Sequence, residues 1–217
     1  MPSAPDFVFY PLAAALAAGL TIASLGAGAA RFPTGPMGAG RTDPVVLAVE
    51  GRDLARFVAG PRDVVELRSE TGQPLLLRVT GVKRERAAAT PTQTAHLRLG
   101  PDLEAAYGGK AVRVTITARA ATDAPAPFFK AGYAAATGAD SGWTEFPLTS
   151  TFQDYAFEYR PPQANPEDLG LDFVGIMPDP SGGGRAVEIR RIVFDARVQK
   201  PALAPPDGAP AARVAPP

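Results

Sequence analysis

The run AVRVTITAR, which begins at Ala111, alternates without interruption. Val112, Val114, Ile116 and Ala118 fall on one face, and Arg113, Thr115, Thr117 and Arg119 on the other. An extended chain points successive side chains to opposite faces, so it sorts this pattern into one dry and one wet side. A helix would scatter the same valines around its axis. TAHLRL repeats the pattern with Ala95, Leu97 and Leu99 inward. His96, the sole histidine, then falls beside Thr94 and Arg98 on the outer face, as an exposed strand residue rather than a catalytic one. Similar runs stand at VVLAV (from Val45), VVELR (Val64), PLLLRVT (Pro74), FFKAGYAAA (Phe128), WTEFPL (Trp143), FQDYAFEY (Phe152), LDFVGIM (Leu171) and AVEIRRIVFDARV (Ala186). Many short strands punctuated by turn residues predict an all-β sandwich or jelly roll over residues 45–198, a length that buries about two-thirds of the unfolded surface.

Three local features refine that expectation. In the last run Val187 and Ile189 share one parity, while Ile192, Phe194, Ala196 and Val198 share the other. The inward face therefore changes at Arg190–Arg191, which predicts a β-bulge. In GPDLEAAYGGK, Pro101 suits a first helical position and Gly108–Gly109 a stop, which predicts one short helix. The loop PDPSGGGR, from Pro178, lacks the lysine-serine ending and following helix of a phosphate-binding loop, and is expected as a hairpin turn between its flanking strands.

The second half of the domain resembles a known family. GKAVRVTITARA from Gly109, FQDYAFEYRPP from Phe152 and DFVGIMPDPSGGGRAVEIRRIVFDARV from Asp172 are similar to galactose-binding-like jelly-roll domains, in particular carbohydrate-binding modules of bacterial glycan-degrading enzymes. The shared pattern is Gly-Lys before a strand ending in Ala-Arg, an alternating aromatic strand closed by proline, and a last strand with an aspartate. Where such modules usually carry tryptophan this chain has Phe152, expected to keep the role of a core plug. The resemblance implies a jelly-roll sandwich that binds glycan without catalysis. It also implies a structural calcium held near the first and last strands, with Asp195 in the matching place and Glu50 as its partner; calcium takes about six to eight oxygens.

The aromatics divide by parity. Tyr155, Phe157 and Tyr159 share a face opposite Asp154 and Glu158, and are expected as core. Trp143, the sole tryptophan, follows a Ser-Gly turn and is expected to lid one end of the sandwich, with a solvent-facing platform as the alternative. Sugar sites combine aromatic faces with amides, carboxylates and arginines that hold hydroxyls. Trp143, Tyr133, Lys130, Glu145 and Arg119 form such a ligand-binding set if neighbouring strands bring them to one concave side. Glycosidase chemistry needs two carboxyls across a cleft. Glu145, Asp154, Glu158, Asp172, Asp179 and Glu188 include eligible residues, but surface strands always carry such acids, so an enzyme is not expected.

The ends of the chain concern location. FVFYPLAAALAAGLTIASLGAGAA, between Phe7 and Ala30, carries no charge and as a helix would run roughly 36 Å, against about 30 Å of hydrocarbon core. Segment 1–30 is expected as an uncleaved single-pass inner-membrane anchor, with the lipid bilayer as its partner. A cleaved signal ending at Ala27-Gly28-Ala29 is the alternative, though Asp6 stands where a basic region belongs. Residues 31–44, rich in Gly and Pro, read as a tether, and the Pro/Ala-rich 199–217 as a disordered tail. Arg31 and Arg41 favour a cytoplasmic domain by the positive-inside rule, but the exported character of the domain favours the periplasm, which is the expectation taken here. With 22 basic and 22 acidic residues there is no excess charge for nucleic acid. The absence of cysteine excludes disulfides and thiolate metal sites. The expected function is a membrane-tethered, non-catalytic module that binds an envelope glycan or protein. The alternative is a structural accessory subunit of a membrane complex that binds no sugar.

Overall fold

A computed structural model describes residues 32–38, 45–69, 72, 74–83, 90–165, 167 and 169–197. The expected anchor, the second half of the tether and the expected tail lie outside the described residues. Among the described residues no helix is long and apolar enough to cross a membrane.

Each run of alternating residues forms a strand: β1 (Val46–Glu50), β2 (Val64–Arg68), β3 (Leu76–Thr80), β4 (Ala95–Leu99), β5 (Val112–Ala120), β6 (Phe128–Ala134), β7 (Thr144–Pro147), β8 (Gln153–Tyr159), β9 (Asp172–Pro178) and β10 (Ala186–Asp195). The predicted helix is α1 (Pro101–Tyr107), with Pro101 in its first turn and a stop at Gly108–Gly109, where Gly109 has φ +72. The strands make two antiparallel sheets. One has the order β2-β3-β10-β5-β8 with β1 also paired to β10, and the other runs β4-β9-β6-β7. From β3 onward the chain passes repeatedly from one sheet to the other, the back-and-forth winding of a jelly-roll sandwich.

The parity change in β10 is a bulge, as expected. Ile189 pairs with Ala118 and Arg191 with Thr117, leaving Arg190 without an opposite residue. The kink lets one strand serve two partners on the same side: Ala186–Ile189 pair with β3, and Arg191–Asp195 with β1. Val187, Ile189, Ile192 and Phe194 are all fully buried despite the change of parity.

The core lies between the sheets. Val112, Val114, Ile116 and Ala118 face Leu97, Leu99, Ala131, Val174 and Ile176 across it. Tyr155, Phe157 and Tyr159 point inward, as their shared parity requires. Tyr155 packs against Phe129 and Phe146 at 5.4 and 5.6 Å between ring centres, and Tyr159 against Tyr133 at 5.2 Å. These rings are inter-sheet scaffold.

Four expectations are corrected. His96 is on the outer face but only 9% exposed, because Phe173 lies edge-on to it at 5.5 Å and Val58 pairs with its backbone. The PDPSGGGR loop is not a hairpin turn, since β9 and β10 belong to different sheets. It crosses the end of the sandwich and bonds to Gly81 after β3. The tether is docked over its first part: Met37 is 2% exposed in the core and its backbone bridges Arg98 and Gly100, while Arg56 bonds to the carbonyls of Thr34 and Pro36. Phe152 is no core plug. It shares parity with Asp154 on the outer side of the six-stranded sheet, where the Arg119 and Arg190 guanidiniums lie 4.6 and 4.0 Å from its ring centre.

Candidate functional site

The five expected ligand-binding residues occupy three places. Trp143, Lys130 and Glu145 meet on the outer face of the four-stranded sheet. Lys130 and Glu145 are cross-strand neighbours joined by a 3.3 Å ion pair. Trp143 follows two rungs on, partly buried against Gly132, whose hypothetical Cβ would sit 3.4 Å from both Trp143 Cε3 and Pro91 Cγ. The ring therefore lids neither end of the sandwich; it rests on a glycine of the sheet's outer surface.

Tyr133 sits one residue further along β6 and so faces inward, fully buried. Its hydroxyl donates to Asp172 Oδ2, while Oδ1 accepts the Ala136 N–H at 2.9 Å. Burial pushes the Tyr133 hydroxyl well above its ordinary value. It also pushes the Asp172 carboxyl above 3.8, outweighing the two hydrogen bonds that favour the charged form. This pair locks structure and meets no solvent. Arg119 stands on the other sheet, where its Nε donates to Glu188 Oε2 at 2.7 Å.

Glu50 and Asp195 do not converge. In the β1–β10 ladder Asp195 is opposite Val46 and Glu50 is opposite Arg191, four rungs or about 13 Å apart. Each is held by an arginine. Glu50 pairs with Arg191 at 3.1 Å, and the Arg197 guanidinium holds the Asp195 carboxyl below the usual carboxylate range. Among the described residues no three metal-ligating side chains cluster.

The outer face of the six-stranded sheet holds a more developed site. The β10 bulge turns Arg190 and Arg191 outward in succession, where regular alternation would have buried one of them. Arg190, Arg191, Glu50, Gly51, Pro74, Thr117 and Asp154 line a cleft of about 650 Å³, within the usual size range of ligand sites. Thr117 donates to Asp154 at 2.6 Å, and Arg191 holds Glu50. Arg190 lies on the Phe152 ring, and its buried Nε has no acceptor among the described residues. Beside the cleft, the nearly buried Glu188 accepts from Arg119 and lies 3.7 Å from Arg78, which also pairs with Asp123 and holds that carboxyl below its usual range. This network fixes the Arg119 stem that flanks Phe152. The residues of this cleft were not expected as a binding set, although the parity change that exposes the two arginines is plain in the sequence.

No family model matches the sequence, and no curated protein matches it. Among solved structures, the chain is similar to the CBM22-1 xylan-binding domain from Paenibacillus barcinonensis Xyn10C, with TM-score 0.47 and 10% identity over 70% of this chain and 95% of that one. It is also similar to the C-terminal family 22 carbohydrate binding module of Clostridium thermocellum Xyn10B, with TM-score 0.42 and 18% identity over 65% of this chain and 87% of that one. A third is the carbohydrate binding module CBM6cm-2 from Cellvibrio mixtus lichenase 5A, in complex with cellotriose, with TM-score 0.39 and 10% identity over 69% of this chain and 95% of that one. All three are named as carbohydrate-binding modules.

Proposed function

We propose that this chain is a non-catalytic binding module that takes a glycan along the outer face of its six-stranded sheet. The observation that carries the reading is the cleft: two carboxylates, two guanidiniums and a hydroxyl line one recess of ligand size. Such a set exchanges hydrogen bonds with sugar hydroxyls in both directions. Glu50 and Asp154 are exposed and already engaged, by Arg191 and Thr117 respectively, which suits holding hydroxyls rather than delivering a proton. The uncharged segment from Phe7 to Ala30 supports an inner-membrane anchor for the module, and the exported character of the domain supports the periplasmic side. A reporter enzyme fused to the carboxyl end tests that placement, and activity confined to the cytoplasm overturns it.

Affinity electrophoresis of the full chain against a panel of neutral and acidic polysaccharides tests the binding reading. The expected result is retardation by at least one polymer, weakened about tenfold by Asp154→Ala or Arg191→Ala, and unchanged by Trp143→Ala on the opposite sheet. Silence across the panel overturns it. Capture of an envelope protein through the same cleft, with no polysaccharide retained, replaces the glycan with a protein ligand.

A further inference from the structure

Of the charged side chains that line the cleft, Arg190 alone has no ionic or hydrogen-bonding partner among the described residues. Arg191 is paired with Glu50, and Asp154 accepts from Thr117. Arg190 is nevertheless held in place. Its guanidinium lies 4.0 Å from the centre of the Phe152 ring, and the bulge fixes its backbone. Its Nε is turned into the protein without an acceptor, so no carboxylate among the described residues compensates the charge that the guanidinium brings to the cleft. A guanidinium is a planar fork that fits a carboxylate with two parallel N–H···O bonds.

We propose that Arg190 is the carboxylate-binding residue of this cleft, and that the ligand is an acidic polysaccharide in which uronate sugars recur among neutral ones. The inference rests on the glycan reading above and names its chemical class. Glu50 and Asp154 exclude a densely anionic chain. Two carboxylates within one cleft repel clustered sulfates or phosphates, whereas one carboxylate on the guanidinium, flanked by neutral hydroxyls on Asp154 and Thr117, leaves no like charges in contact. Phe152 then has a binding role of its own: it carries the guanidinium on its face and holds it beside the cleft.

The test is titration calorimetry of the full chain in mild detergent with deacylated gellan, in which glucuronate recurs among neutral sugars. The same polymer after reduction of its carboxyls is the second ligand, and dextran sulfate the third. The expected result is binding to the native polymer, about tenfold weaker binding to the reduced one, and little to dextran sulfate at physiological salt. Arg190→Met keeps an apolar stem over Phe152 and is expected to bind native and reduced polymer equally, at the weaker level. Arg190→Lys keeps the charge without the fork, and is expected to fall between the two. Equal wild-type affinity for native and reduced polymer overturns the role of the carboxylate while leaving the glycan reading intact. Preference for dextran sulfate overturns it in favour of unspecific charge. Failure to bind either form of gellan overturns it as well; the glycan reading falls with it only if the neutral polysaccharides also fail. The comparison of reduced with native polymer needs no variant, so it stands even if a substitution at Arg190 disturbs the fold.

Discussion

Asp172 places a carboxylate where no water reaches it, with a tyrosine hydroxyl and one backbone N–H as its partners. Burial raises its affinity for a proton above that of the unfolded chain. The folded state therefore binds more protons than the unfolded state between pH 3.8 and the raised value, and stability falls as pH rises through that window. Asp172→Asn removes the titration. The melting temperature of the wild type, measured relative to this variant, is expected to be highest near pH 3 and to decline toward neutrality; a difference that grows with pH contradicts it. Asp123 and Asp195 act in the opposite sense. Arginines lower both carboxyls, so their stabilisation is present at neutral pH and is lost as pH falls through the lowered values. Trp143 belongs to the same scale. Because its ring is only partly buried, Trp143→Ala is expected to cost about 1–2 kcal/mol in a urea titration, less than the ~3–5 kcal/mol of a fully buried ring.

At the scale of elements, the outer face of the four-stranded sheet depends on two glycines that face each other across β6 and β9, Gly132 and Gly175. A 3₁₀ turn, Pro91–Gln93, sits directly on them: a Cβ on Gly175 would lie 2.6 Å from Pro91 Cα and 2.7 Å from its carbonyl oxygen. Both obstacles are backbone, which cannot rotate aside. Gly175→Ala is expected to lower stability by about 1–3 kcal/mol, read as a shift in the urea midpoint, by pushing the turn off the sheet. An unchanged midpoint would mean that the turn floats freely. The strands themselves were legible in the sequence because alternation is a local property, and so was the bulge in β10. Sheet membership was not. A strand buried on one face reads the same in either sheet, so nothing local in PDPSGGGR separates a hairpin turn from a crossing between layers. The site was half legible for a related reason. Trp143 and Glu145 share parity, and their face follows from sequence, but a set that joins Tyr133 to Lys130 mixes opposite parities, which lie on opposite faces. Arg190 and Phe152 matter only because β10 and β8 flank β5, which is a tertiary fact.

At the scale of the whole molecule, β10 holds the sandwich together. It pairs with β5 along its length, with β3 through its first half and with β1 through its second, so the last strand closes the domain onto the first. Such long-range pairing means that truncation at the two ends has unequal consequences. Ending the chain after Arg190 removes Ile192 and Phe194 from the core and leaves β1 without its partner. No cooperative unfolding transition is expected from that chain. Starting the chain at Val45 removes less: Met37, its backbone bonds to Arg98 and Gly100, and the carbonyls that accept from Arg56. Both sheets remain complete. The loss of one buried methionine and its hydrogen bonds is expected to cost about 2–4 kcal/mol while the transition stays single and steep. Comparing urea midpoints and slopes of the two trimmed chains with the full-length protein separates the outcomes. If a start at Val45 leaves the midpoint unchanged, the packed segment before it contributes nothing to stability. If a stop after Arg190 still unfolds in one steep step, the closure of β10 on β1 is not what makes the two sheets a single cooperative unit.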